Sequence, residues 1–514
     1  MAAKATSARR RARGAAPERR RPPVNEKPSD TLRIAVTFPR PGGREGLVRS
    51  SARLGLATVM DYKPAETDRE RALEYLEQLG FRVTVRGQLS TSVRGPRELF
   101  ERVFGTELRP VRVLQDKTSI TQAPSVFYPP EGAPWSPEPA LSALIDDAYI
   151  QWPHLYFNSR FTPPPSPLPP RVRYHHLRVP GDVTLLINAD RIHREGTTGK
   201  GVRVAMIDSG FAHSHAYFVE REYLTTTVLA PGANRADADG NGHGTGESAN
   251  LLAIAPDVTF FGIKLDNETN PSLGASLLEG FQEALRHNPQ IISVSLGYDL
   301  CPTDPVTGNR TSNNHLTALP NGLKPLEAEI EAAVASGIVV VFSAGNGHVA
   351  FPGMMREVIS AGGVFVADDG RMFASDYASA FDSRVYPGRH VPDFCGLVGE
   401  AANGAAYIML PVPPGAELDR LQDGTRADEG WGVFSGTSAA APQLAGVCAL
   451  LLEKNPGLTP GDIKNVLRAS ARDVELGTAN AASNENRGGM PAGMGIDGAT
   501  GAGLVDALAA WRLA

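Results

Sequence analysis

The sequence predicts an α/β protein built on a doubly wound, mostly parallel sheet with helices on both faces, preceded by a small ferredoxin-like α+β unit. Three observations predict it. Apolar runs at 202–207, 258–265, 291–296, 338–342 and 358–364 are continuous rather than alternating, as strands buried on both faces are. Helical segments at 273–287 and 326–336 lie between them, so successive strands should run parallel through crossovers. Polar clusters flanked by glycine stand where strands end, which is where such sheets gather their reactive groups.

Composition narrows the function classes. A chain of 514 residues holds two or three domains, and 42% hydrophobic with 21% charged residues is ordinary for a water-soluble protein. Its net charge of -5 gives no pull toward nucleic acid or an anionic membrane, and no run is long enough to span a bilayer. Neither partner is expected. Cys301, Cys395 and Cys448 cannot form a disulfide framework and lack metal-ligand spacing; Cys448 reads as a small core residue, and a Cys301 to Cys395 bridge is not expected.

In chain order, residues 1–30 form a basic tail rich in Arg, Ala and Pro, expected to be disordered. No apolar core follows it, as a secretory signal would require, so a cytoplasmic location is expected. Residues 31–113 alternate as strand (32–38), helix (68–79), two strands joined at Gly87 (81–86 and 89–93), helix (96–104) and strand (107–113). Residues 114–180 are proline-rich and expected to be an extended connector, and the main domain runs from 181 to 514.

Three side chains of the main domain supply complementary chemistry. Asp208 directly follows the run 202–207 and precedes Ser209-Gly210. His243 lies between glycines just before an apolar stretch, and Ser438 stands in Ser435-Gly436-Thr437-Ser438 where an apolar helix, 439–452, begins. Taken singly, each has an ordinary structural role: a turn carboxylate, a structural histidine, a helix N-cap. Together they are a nucleophile, a base that takes its proton, and an acid that orients the base. The free N–H groups at the helix start would favour a developing oxyanion beside Ser438.

From about residue 181 to 513 the chain resembles the subtilisin-like serine peptidases, the subtilases of peptidase family S8. The motifs are Ile207-Asp208-Ser209-Gly210, His243-Gly244-Thr245, Ser343-Ala344-Gly345-Asn346-Gly347 and Ser435-Gly436-Thr437-Ser438 with Pro442. The order Asp, His, Ser is the one known for subtilisin. The resemblance implies a serine endopeptidase acting on polypeptides through an acyl-enzyme. It makes Asn346 the oxyanion donor, and Ser295, Leu296, Gly297, Ala344 and Gly345 the walls that hold substrate. Tyr298 and Asp299 depart from the small residues usual there, so they are expected to narrow or charge a subsite. Residues 79–106 of the first unit resemble the prosegments of sedolisins, which implies a proenzyme folded and inhibited in cis.

Other departures qualify this picture. After Thr245 stand Gly246, Glu247 and Ser248 in place of the family's second histidine and valine, and residues 376–430 look like an elaborated loop. Asp237-Ala238-Asp239-Gly240-Asn241-Gly242 starts like a calcium loop, but Ser248 occupies the twelfth position, where glutamate is needed. No cofactor or metal is therefore expected. The resemblance leaves a structural calcium open, without a visible ligand set. The alternative is a permanently inhibited, non-proteolytic peptide binder on the same fold.

Overall fold

The computed structural model describes residues 30–42, 46–48, 54–112, 125–130, 132–156, 176–301, 315–401, 406–421, 426–481 and 489–514. The basic tail, 1–29 of it, lies outside these residues, as does 157–175 of the connector.

The first unit is a four-stranded antiparallel sheet with two helices. Its elements are β1 (Thr31–Thr37), α1 (Glu66–Leu79), β2 (Arg82–Arg86), β3 (Ser90–Pro96) and α2 (Arg97–Phe104). Ile34 and Val36 of β1, Leu73 and Leu76 of α1, and Phe100 and Phe104 of α2 share one core.

The expected last strand at 107–113 is corrected. Arg109–Arg112 (β4) instead pairs with Ser125–Tyr128 (β5) in a separate hairpin. Asp147–Ile150 (β6) takes the edge beside β1, giving the order β2-β3-β1-β6. The reason is burial: β6 places Ala148 and Ile150 in the core at 2% and 4% exposure, whereas Val111 of β4 remains 42% exposed. Through β6, the connector thus contributes to the first unit as far as residue 150. His176–Arg178 already pairs with Tyr407–Pro411, so the second unit begins before residue 181.

The second unit is organised on a ten-stranded sheet. Its strands are β8 (Arg203–Asp208), β9 (Thr225–Leu229), β10 (Thr259–Lys264), β11 (Ile291–Val294), β13 (Val339–Ser343), β15 (Ile359–Val366), β16 (Met372–Ala374), β17 (Phe394–Leu397), β18 (Leu476–Ala479) and β19 (Met490–Pro491). The order is β9-β10-β8-β11-β13-β15-β16-β18-β19, with β17 beside β15. From β9 to β15 all neighbours are parallel. Outside it, β12 (Leu296–Asp299) pairs with β14 (Ala350–Phe351), so the run expected at 291–296 divides at Ser295.

Both sheet faces are covered, as the continuous runs require. Val204 and Met206 of β8 pack with α3 (His243–Ile254) and α6 (Thr437–Lys454), while Ala205 and Ile207 pack with α4 (Leu277–Leu285) and α5 (Lys324–Ala335). The stretch 376–430 is more than a loop: it supplies β17 to the main sheet and Tyr407–Pro411 to a smaller one. All three cysteines are buried thiols. Among the described residues no helix is long and apolar enough to cross a membrane.

The two units meet through α4 and α5. Glu329 of α5 accepts from the backbone N–H groups of Gln88, Leu89 and Ser90 at 3.0, 3.0 and 2.9 Å. Glu279 of α4 pairs with Arg94 of β3 at 3.1 Å, and Gln282 accepts from the Ser92 hydroxyl at 2.6 Å. Gly87 lets the carboxylate approach: a Cβ at that position would stand 2.1 Å from Glu329 Oε1 and displace it.

Candidate active site

Asp208 ends β8 and His243 opens α3, and the chain brings them together. His243 Nδ1 lies 2.7 Å from Asp208 Oδ1, with both side chains fully buried. An ionised carboxylate only accepts, so Nδ1 is the donor and Nε2 is left as the basic nitrogen. Nε2 has no hydrogen-bond partner among the described residues. The approach needs Gly244: a Cβ there would meet Gly210 O at 2.3 Å and Asp208 Cβ at 2.8 Å.

Asp239, which belongs to the run that starts like a calcium loop, fixes the start of α3. Its Oδ1 accepts from Ser209 Oγ and Gly242 N, both at 2.9 Å, and its Oδ2 accepts from Thr245 N and Oγ1 at 2.9 and 2.7 Å. Ser209 Oγ in turn accepts from Gly244 N at 2.9 Å. A buried carboxylate satisfying first-turn N–H groups is stabilising at a helix N-terminus. The only sequence signal for it was an acid placed four residues before the histidine.

Electrostatics around the imidazole are dominated by acids. Burial pulls the His243 pKa down, but Asp208, with Glu247 and Asp239, outweighs it and leaves the group at about 9. Burial pushes Glu247 up to about 8, against the pull of His243. Glu247 lies one turn beyond His243 on α3; its Oε2 accepts from Asn250 Nδ2 at 2.8 Å, and its Oε1 has no hydrogen-bond partner among the described residues. The unusual sequence after Thr245 therefore puts a buried acid beside the base, rather than a solvated one.

Ser438 lies in the first turn of α6. Its Oγ donates to Ser295 O at 3.2 Å, and Ser295 Oγ donates to Ser438 O at 2.9 Å. Asn346 follows β13; its Oδ1 accepts from Thr437 N at 2.9 Å and Thr437 Oγ1 at 3.2 Å, turning the amide's donor end away from Thr437. Gly345, at φ +99°, donates its N–H to Thr437 Oγ1 at 3.0 Å. Asn346, Gly345 and, one residue before it, the buried Ala344 are thereby tied to the turn that carries Ser438.

A strand of the protein itself occupies this place. Leu155–Tyr156 (β7) pairs antiparallel with β12, Tyr156 opposite Leu296 and Leu155 opposite Gly297. The Tyr156 ring centroid is 5.5 Å from that of His243, and its hydroxyl donates to Asp266 Oδ1 at 2.7 Å. Burial raises Asp266 to about 7. The sequence reading missed both Tyr156 and Asp266. Tyr298 is buried against Phe351, and Asp299 accepts from Cys301 N and Val349 N at 3.1 and 3.0 Å, so the contacts of Asp299 serve to hold the backbone around β12.

The family model described as "Subtilase family" matches residues 199–495. The chain is similar to the serine protease AprX of Bacillus subtilis, at 29% identity over 334 residues covering 58% of this chain and 69% of AprX. It is also similar to subtilisin DY of Bacillus licheniformis, at 27% identity over 311 residues, 56% of this chain and 90% of that protein. Among solved structures, fervidolysin from Fervidobacterium pennivorans shares the fold, with a TM-score of 0.52 at 16% identity, covering 94% of this chain and 61% of its own.

Proposed function

Because the chain belongs to the subtilase family of serine-type endopeptidases, we propose that it hydrolyses polypeptides through Asp208, His243 and Ser438, and that it is made as a proenzyme inhibited by its own first unit. Ser438 Oγ attacks the peptide carbonyl while His243 Nε2 takes its proton, and Asp208 holds the ring and stabilises the imidazolium. The tetrahedral oxyanion is held by the Asn346 amide and the Ser438 backbone N–H. Collapse returns the proton from His243 to the departing amine, and water then releases the acyl group by the same steps in reverse. No step needs a metal or cofactor.

The observation that carries this reading is the buried 2.7 Å pair of Asp208 and His243 beside a peptide strand held on β12. The Ser295 carbonyl accepts the hydrogen bond of the Ser438 hydroxyl in this state, which fits a latent site. In an extended peptide bound in this register, the residue after the one at the place of Tyr156 faces Ser295 and offers its carbonyl to Ser438. A cut in cis in that register leaves a chain beginning at Asn158. Fluorophosphonate labelling that is lost in Ser438→Ala tests the nucleophile. Mass spectrometry tests the rest: the wild type should be shortened, with Asn158 first, and Ser438→Ala should remain full length. A wild type that stays intact and unlabelled after the first unit is removed would instead indicate a non-proteolytic peptide binder.

A further inference from the structure

We propose that Asp266 reads the penultimate residue of the substrate's acyl side, selecting a side chain that is ring-sized and carries a hydrogen-bond donor at its tip, tyrosine above phenylalanine. The inference rests on the peptidase reading above and specifies its substrate class.

The register fixes which residue is read. Tyr156 stands opposite Leu296, one step short of Ser295, whose carbonyl accepts from the Ser438 hydroxyl. Its ring lies against His243 at 5.5 Å, so it fills the part of the cleft walled by the base, apart from Ala344 and Gly345. At 2% exposure the side chain is closed off from water, and its hydroxyl meets Asp266 Oδ1 at 2.7 Å. His154 Nε2 is the other polar neighbour of the hydroxyl, at 3.3 Å, and it belongs to the bound strand rather than to the cleft. Asp266 is thus the cleft's own contribution.

Asp266 is also held firmly. Two residues beyond β10, it donates its backbone N–H to Ser209 O at 3.0 Å, and Leu265 N donates to Asp208 O at 2.9 Å. The loop that carries the reader is hydrogen-bonded to the loop that carries Asp208, so its carboxylate keeps its place relative to the base. Burial and the neighbouring acids hold the Tyr156 phenol well above its usual range, which keeps it a donor. A phenylalanine would fill the same volume and leave the carboxylate oxygen facing a ring instead of a donor. Sites built around a hydrogen bond discriminate strongly against the analogue that lacks it.

Two internally quenched peptides test this, one containing His-Leu-Tyr-Phe-Asn and the other His-Leu-Phe-Phe-Asn. The full chain is expressed, its active sites are titrated with a fluorophosphonate, and the bond cut in each peptide is located by mass spectrometry. The expected result is cleavage of both peptides after the second aromatic residue, with kcat/KM for the tyrosine peptide higher by about tenfold or more. In Asp266→Leu that ratio falls to about one, and Asp266→Asn, which keeps an acceptor oxygen, recovers part of it. Equal rates in the wild type, a ratio that survives in Asp266→Leu, or a different bond cut would overturn the inference while labelling upholds the peptidase. Absence of both labelling and cleavage would overturn the two together.

Discussion

On one face of the central sheet, α3 and α6 are buried against apolar side chains and carry His243 and Ser438. On the other face, α4 and α5 are also buried, yet they turn Glu279, Gln282 and Glu329, at 1%, 0% and 0% exposure, toward the first unit. The first pair cannot be uncovered without unfolding the domain, because its surroundings would meet water as bare hydrocarbon. The second pair can: carboxylates and an amide released from Arg94, Ser92 and the backbone of residues 88–90 are well solvated by water. Concealment alone therefore does not distinguish a permanent core from a separable joint. The chemistry of what is concealed does.

Four changes would break or sharpen this contrast. The largest effect belongs to Ser438→Ala, which should lower turnover by roughly 10⁶-fold, the scale known for subtilisin, without weakening the joint, as read by active-site titration and thermal unfolding. Next is Asn346→Asp, which keeps an acceptor for Thr437 and removes the oxyanion donor. Its kcat should fall by at least about 10²-fold, again on the subtilisin scale, and a loss confined to KM would refute the assignment.

Glu329→Ala should act on the other side of the contrast. It strips acceptors from three backbone N–H groups and should weaken docking of the first unit by about 2–4 kcal/mol. The measurement is proteolytic susceptibility of the first unit in a Ser438→Ala background. Unchanged susceptibility would mean the joint is held elsewhere.

The smallest effect concerns pH. His243 works as a base only when neutral, so a value near 9 places the acid limb of kcat/KM above the ordinary imidazole range. Glu247 contributes to that elevation, and Glu247→Gln should move the limb to lower pH. A limb that stays in place or rises would show that Glu247 does not tune the base.

The legible parts of the molecule were those whose pattern is local. The run read at 202–207 forms β8, which extends one residue further to include Asp208, and the glycines around His243 and Ser438 marked close approaches. The fourth strand of the first unit was not legible, because 107–113 has a plausible strand composition and lies next in line, while β6 is four residues long and lies in a segment that reads as linker. Glu279 and Glu329 look like a solvated helix face, since a polar face turned to another unit has the same composition as one turned to water. Asp266 could not be singled out either. Its partner Tyr156 is 110 residues away, in a segment that reads as linker.

The strand at Leu155–Tyr156 is tethered to the cleft it fills, and tethering changes the competition. A short covalent connection gives a local concentration on the order of millimolar, so a free peptide at micromolar levels loses to it even when its intrinsic affinity is equal. On the proposed reading, latency of this kind does not depend on a tight inhibitor. Once the connection is cut, the first unit is held only by its contacts with α4 and α5, and its loss by dilution shifts the balance toward foreign chains.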